Sequence, residues 1–127
     1  MVWNNKRGMA DVQIFGVKAS EATRAAERFF KERRIVIQFV DLAQRAMAPA
    51  EIRRFVDRFG LVDLVDREGK AYEASGLKYL KLSDAELIAR IERDPKLLRL
   101  PLVRSGKLLS IGQDESAWKE IVSTTAP

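Results

Sequence analysis

The residues best placed for chemistry lie where a short apolar run, Val12 to Phe15, gives way to a helical pattern that begins at Ser20. Lys18 lies in the loop between them, and Arg24 follows one turn into the helix. The first amides of a helix have no partner within it and carry the positive end of its dipole, so they attract anions. Lys18, Ser20 and Arg24 are therefore candidate ligands for an anion.

Two interpretations of Ser20 follow from its position. In the first, the hydroxyl is a helix N-cap that accepts an amide hydrogen bond, an interaction worth about 1 kcal/mol. In the second, the hydroxyl binds a ligand, such as an anion. A nucleophilic serine needs a neighbouring base, and Lys18, two residues away, is the nearest lysine.

The absence of two residue types excludes much chemistry. The chain contains no cysteine and no histidine, so it cannot form a thiolate, a Cys/His zinc site or a Ser-His-Asp triad. Carboxylates, lysines, tyrosines and hydroxyls remain as reacting groups. Neither Asp63 with Asp66 nor Glu92 with Asp94 has the spacing of a metal-binding loop, and no metal site is predicted.

Composition points to a single domain with acidic partners. The 127 residues carry a net charge of +5, and 46% of them are hydrophobic. The basic residues are interspersed with acidic ones, even in the densest groups, Phe30 to Arg34 and Ile52 to Arg58. That mixture favours solvated helix faces and argues against nucleic acid as a partner.

No apolar run approaches the roughly 18 residues that span a bilayer, so no membrane partner is expected. The first residues lack the pattern of a secretory signal, and we expect a cytoplasmic protein.

The first elements that position Ser20 form a βαβ unit. Val12 to Phe15 and Ile35 to Asp41 are predicted strands, and the helix between them carries an alanine and phenylalanine stripe from Ala22 to Phe30. Two strands joined by a helix should be parallel, with a right-handed connection.

The middle of the chain is predicted to be helical. One helix has Pro49 at its first turn and Gly60 after its end. A second has Ser83 and Glu86 at the spacing of a capping box and is stopped by Pro95.

The remaining residues predict a hairpin about Ser105 and Gly106, then a helix capped by Asp114. The resulting fold class is α/β, with a thioredoxin-like mixed four-stranded sheet (βαβ + ββα) and a helical insert at about residues 46–97 between the halves. The predicted domain spans residues 11–123, with tails at residues 1–10 and 124–127.

Two stretches carry a family resemblance. IFGVKASEATRAAERFF, residues 14–30, resembles the strand, glycine-containing loop, cysteine and helix of the arsenate-reductase-like branch of the thioredoxin fold, which includes the Spx-type transcription regulators. LSDAELIARIERDPKLLRLPLVRSGKLLSIG, residues 82–112, is similar to that family's last insert helix and proline-led hairpin. The resemblance extends from Val12 to Val122.

The resemblance also shows two departures. The family's reactive cysteine falls on Ser20, which is either a natural serine or a cysteine changed to serine. The family has an arginine immediately before the hairpin proline, whereas Leu100 precedes Pro101 here and the nearest arginine is Arg99. Because alternate side chains of an extended segment point to opposite sides, Arg99 should point away from the site. The chain thus resembles a degenerate member that lacks the redox cysteine.

The resemblance implies further features of the site. In this fold the proline usually has a cis peptide bond and faces the first helix, so a cis Leu100–Pro101 bond and a role for Pro101 in the anion site are expected. From sequence alone, a trans proline opening an edge strand is the alternative. Arg67 and Arg99 could join Lys18 and Arg24 as anion ligands, or all four could be unrelated surface charges.

Two functions are consistent with these observations. The first is a binding or regulatory module without redox activity, for which the Spx-type proteins, which act by contacting a protein partner, are the precedent. The second is a small glutathione-dependent oxidoreductase or transferase-like enzyme that uses the Ser20 position. The expected partners are a protein, a small anion or glutathione.

Overall fold

The computed structural model describes residues 11–125. The predicted N-terminal tail at residues 1–10 and the last two residues of the predicted C-terminal tail lie outside this range. The chain forms two compact units. The sheet unit comprises, among the described residues, 11–41 and 100–125, and the insert unit comprises Leu42–Arg99.

The sheet unit contains one four-stranded sheet in the order β2-β1-β3-β4. β1 pairs with β2 in parallel and with β3 antiparallel, and β3 pairs with β4 antiparallel. The elements are β1 (Val12–Gly16), α1 (Glu21–Glu32), β2 (Ile37–Asp41), β3 (Leu102–Ser105), β4 (Leu108–Ile111) and α5 (Glu115–Thr125). This mixed βαβ and ββα arrangement confirms the predicted α/β, thioredoxin-like fold class.

Aromatic side chains from both helices fill the core of the sheet unit. Phe29 and Phe30 of α1 meet edge to face with ring centroids 5.3 Å apart, and Trp118 of α5 lies 5.4 Å from Phe29. They pack in one cluster with the buried Val12 and Ile14 of β1. The buried residues of β1 and the apolar stripe of α1 therefore pack against each other in one core.

The junction of β1 with α1 is unusually close. A β-carbon added to Gly16 would lie 2.6 Å from Cγ2 of Thr23, a separation that real side chains do not tolerate. Gly16 and Thr23 are both buried, and the Thr23 hydroxyl has no hydrogen-bond partner among the described residues. Only glycine allows β1 and the first turn of α1 to approach this closely.

Two boundaries of the sheet unit differ from those drawn from the sequence. β2 begins at Ile37 rather than Ile35, because Arg34 takes a left-handed conformation, φ +61°, and the Ile35 amide donates to the Phe30 carbonyl oxygen. This turn ends α1 before the chain becomes extended. α5 continues to Thr125, two residues beyond the boundary drawn at residue 123.

The insert unit is helical, with α2 (Pro49–Leu64), α3 (Lys70–Ser75) and α4 (Asp84–Arg93). The capping box predicted at the beginning of α4 is confirmed. The Glu86 amide donates to the Ser83 hydroxyl at 3.1 Å, and the Ser83 amide donates to the Glu86 carboxylate at 2.8 Å. Hydrogen bonds from Ser83 lower the pKa of the Glu86 carboxyl below its ordinary value of 4.5; the amide has the larger effect and the hydroxyl the smaller one.

Gly60 ends the first helical segment of α2, as its position in the sequence predicts. It takes φ +80° and ψ 154°, which interrupts the helix, and helical backbone then continues to Leu64. Leu61 and Leu64 are buried, so the short helical segment after the kink packs against the rest of the insert unit. Among residues 11–125, no helix is long and apolar enough to cross a membrane.

Candidate functional site

Ser20 is the N-cap of α1. Its backbone is extended, at φ −78° and ψ 121°, and its Oγ accepts a hydrogen bond from the Thr23 amide at 3.1 Å. Its amide donates to the Val17 carbonyl oxygen at 3.0 Å, and its carbonyl oxygen accepts from the Arg24 amide at 3.1 Å. The local sequence accounts for this geometry, because serine is a preferred N-cap residue and its oxygen reaches the amide three residues on.

The Arg24 side chain contacts the loop that precedes α1. Its guanidinium donates to the Lys18 carbonyl oxygen at 2.6 Å, and the Lys18 and Arg24 side chains are both exposed. Within the described chain, no hydrogen bond engages the amides of Lys18, Ala19 or Glu21. Free amides and two cations thus lie at the positive end of the α1 dipole.

Pro101 lies at the same end of the sheet. The antiparallel register pairs Phe15 with Leu102, so Pro101, one residue before Leu102, is level with the end of β1. The Leu100–Pro101 bond is cis, which confirms the expectation from the resemblance. Pro101 is buried, and its carbonyl oxygen accepts from the Gly112 amide at 3.0 Å.

The two remaining candidate cations belong to the insert unit. Arg99 donates through Nε to the Asp63 carbonyl oxygen at 2.9 Å and lies 4.0 Å from the Asp66 carboxylate. Its amide donates to the Leu64 carbonyl oxygen at 2.8 Å, so Arg99 satisfies carbonyl groups at the end of α2. The Arg67 guanidinium lies 5.9 Å from the centroid of the Tyr72 ring.

The Ser20 hydroxyl has no neighbouring base among its described contacts. No described side chain accepts a hydrogen bond from the Ser20 hydroxyl, so no general base is positioned there. Residues 11–125 contain no cluster of three or more carboxylates, histidines or cysteines that could hold a metal ion. Free amides, a hydroxyl and two cations can bind a small anion.

Thr23 also belongs to this site, although its sequence position did not single it out as a candidate. Its amide donates the hydrogen bond that the Ser20 hydroxyl accepts. Its side chain fills the space next to Gly16. The available signal was a threonine on the buried stripe of alanines and phenylalanines, three residues after the cap.

Comparison with known proteins identifies the class. The sheet order and strand directions define a thioredoxin-like protein. The family model of the ArsC family matches residues 15–121, and the chain belongs to the ArsC family. No curated protein matches the chain significantly.

Solved structures share the fold over nearly their whole length. Arsenate reductase from Vibrio cholerae superposes with a TM-score of 0.75 at 20% identity, covering 88% of this chain and 98% of that one. The YFFB protein gives a TM-score of 0.78 at 18% identity, covering 87% of this chain and 97% of that one. An arsenate reductase (ArsC) related protein from Brucella melitensis gives 0.65 at 16% identity, covering 88% and 93%. Identities this low establish the fold alone.

Proposed function

We propose that this ArsC-family chain is a binding or regulatory module with no thiol redox chemistry of its own. The observation that carries the proposal is the role of Ser20, which falls where the family resemblance places the reactive cysteine. Its oxygen accepts a hydrogen bond from the Thr23 amide as a helix cap, and the sequence contains no cysteine that could supply a thiolate. A serine hydroxyl is far too weakly acidic to replace one.

The ligand of the α1 N-terminus is a small anion. The free amides of Lys18 and Ala19 with the Arg24 side chain support this assignment, and none of these groups requires a cysteine. Binding is weak and salt-sensitive because both cations are exposed to solvent. A protein partner carrying a carboxylate or phosphate would use the same chemistry.

The absence of redox chemistry is tested with Ser20→Cys. The purified chain should reduce neither arsenate nor disulfides above a blank when glutathione or thioredoxin supplies the electrons. The thiol of Ser20→Cys should titrate below about 8.5, because a helix N-terminus stabilises the thiolate. Ser123→Cys, in the last turn of α5, is the matched control and should titrate at about 8.5 or above. Turnover by the unmodified chain would refute the proposal.

Anion binding is tested by amide chemical shifts during titration with sulfate, phosphate and glutathione. We expect shifts centred on residues 18–21 that fade as chloride is added. Shifts spread over every basic surface, or none at all, would leave Ser20 as a helix cap only.

A glutathione-dependent enzyme is the second candidate, and one observation favours it. The Ser20 hydroxyl accepts one hydrogen bond and donates none within the described chain, so its proton is available to a bound thiolate. This candidate requires retention on immobilised glutathione and turnover that Ser20→Ala abolishes. Retention without turnover would instead support the binding module.

A further inference from the structure

The insert unit contains an open groove between α2 and α4, and none of the Ser20 site residues lines it. Its volume is about 330 Å³. Ile52 and Val56 of α2 and Ile88 of α4 line it, and Ala85 and Ala89 of α4 leave the space that larger side chains would fill. Ala85 and Ala89 are exposed, while Val56 and Ile88 are only half-buried. Ile52 is buried at the base of the groove, and the helices leave the outer part of their apolar faces, at i, i+3 and i+4 spacing, partly exposed.

Charged side chains border this groove. Arg53 and Asp57 lie on α2, and Glu92 lies on α4. Within residues 11–125, none of these three side chains forms an ion pair; the pairs found there are Arg33 with Glu32 and Arg99 with Asp66. Two carboxylates and one guanidinium give the rim a net negative charge, in a chain whose total charge is +5.

We infer that this groove binds an amphipathic helix of a partner protein that has leucine-like anchors on one face and basic residues beside them. The groove lies between two helices, and its apolar lining suits anchors spaced at i, i+4 and i+7. Basic flanking residues on the partner would meet Asp57 and Glu92, which form no ion pair with the described residues. The inference rests on the proposed binding role but not on the anion site at Ser20.

The test uses two synthetic peptides of about 15 residues. Both carry leucines at i, i+4 and i+7; one has lysines beside them and the other has glutamates. Titration of the full chain should shift the amides of α2 and α4, and the lysine peptide should bind about fivefold more tightly. The overall positive charge of the chain favours the glutamate peptide, so a preference for lysine reports the local rim.

Variants locate the binding site. Ala89→Phe fills the groove from an exposed position and should weaken binding of the lysine peptide by about tenfold or more, whereas Ala74→Phe, on α3, should not. Asp57→Lys should reverse the preference between the two peptides. Asp63→Lys, an equal change of charge on α2 away from the groove, should leave the preference unchanged.

Each contrary result has a distinct meaning. Equal binding of both peptides, or binding unaffected by Ala89→Phe, overturns the inference while the proposed function stands. Self-association of the chain alone that Ala89→Phe abolishes assigns the groove to a second copy and also overturns it. If neither peptide nor any anion binds anywhere on the chain, the inference and the proposed function both fail.

Discussion

A serine at position 20 serves the backbone better than a cysteine would. The Thr23 amide needs an acceptor because it lies in the first turn of α1, and the Ser20 oxygen provides one at 3.1 Å. Sulfur is a weak acceptor, so a cysteine in the same place would cap the helix poorly while gaining a reactive thiolate. The residue at this position therefore trades reactivity against the stability of α1.

Removing the cap at Ser20 should lower the stability of the fold. Ser20→Ala leaves the Thr23 amide without its acceptor, and we expect a loss of about 1 kcal/mol in the free energy of unfolding. Ser20→Asp keeps a capping oxygen and should differ from the wild type by only a few tenths of a kcal/mol. Urea denaturation followed by circular dichroism measures both. Equal losses in the two variants would show that the hydroxyl does not act as a cap.

The candidate site was predictable where its contacts are local. Ser20 as a cap needs only the amide three residues away, so the pattern of the helix start was sufficient. The contact of Arg24 with the Lys18 carbonyl oxygen depends on the path of the loop, which no residue type specifies. The placement of Pro101 depends on strand register and was available only through the family resemblance.

At the scale of elements, the capping box of α4 makes stability depend on pH. Hydrogen bonds from the Ser83 amide and hydroxyl hold the pKa of Glu86 below 4.5. The contribution of the ionised carboxylate is therefore complete above pH 4.5 and is lost as the pH falls through the lowered pKa in the folded state. An NMR titration of the Glu86 carboxyl should give a value below 4.5. In Ser83→Ala, which removes the hydroxyl but keeps the amide as the larger cause, the pKa should rise and still remain below 4.5. An unchanged pKa there would contradict the contribution of the hydroxyl.

Two glycines of the insert unit should respond differently to asparagine. Gly76 follows α3 in the left-handed region, at φ 75° and ψ 6°, which asparagine tolerates. Gly60 has φ 80° with ψ 154°, a region that is almost exclusive to glycine. Neither position is crowded, since an added β-carbon would meet nothing within 4 Å.

The difference between these variants is therefore a backbone effect. Gly60→Asn should lower the free energy of unfolding by about 1–3 kcal/mol, and Gly76→Asn by clearly less. Urea denaturation compares them. Similar losses would mean that α2 straightens when Gly60 is replaced.

The same residues show why element types were easier to predict than their ends. Periodicity identified the first segment of α2, and Gly60 marked its end because glycine usually follows a helix. That helical backbone resumes from Leu61 to Leu64 depends on burial of these two leucines, which is set by the packing of the folded chain. In the same way, Ile35 and Val36 have β propensity, yet the turn at Arg34 delays the strand.

At the scale of the whole molecule, stability of the sheet unit depends on its aromatic core. Trp118→Ala should remove about 3–5 kcal/mol from the free energy of unfolding, because a large cavity replaces a fully buried ring. Trp118→Phe should cost much less. The indole Nε1 has no hydrogen-bond partner among the described residues, so its removal leaves no acceptor unsatisfied.

Chemical denaturation of Trp118→Phe is the decisive measurement, since Trp118→Ala could unfold outright. A loss for Trp118→Phe as large as the one expected for alanine would contradict this description of the core. The ring centroids of Phe30 and Trp118 are 6.2 Å apart, so a shift of the Phe30 ring in the variant would be the first change to measure in that case.

The contact between Gly16 and Thr23 restricts how this chain can vary. Because a β-carbon at position 16 would occupy the space of the Thr23 side chain, Gly16→Ala should be poorly tolerated while threonine remains. Thr23→Gly would vacate that space, so in a saturation library the two positions should show reciprocal epistasis. An alanine at position 16 should then be recovered chiefly beside a smaller residue at position 23. Evolution of the strand-to-helix junction would accordingly proceed through position 23 first.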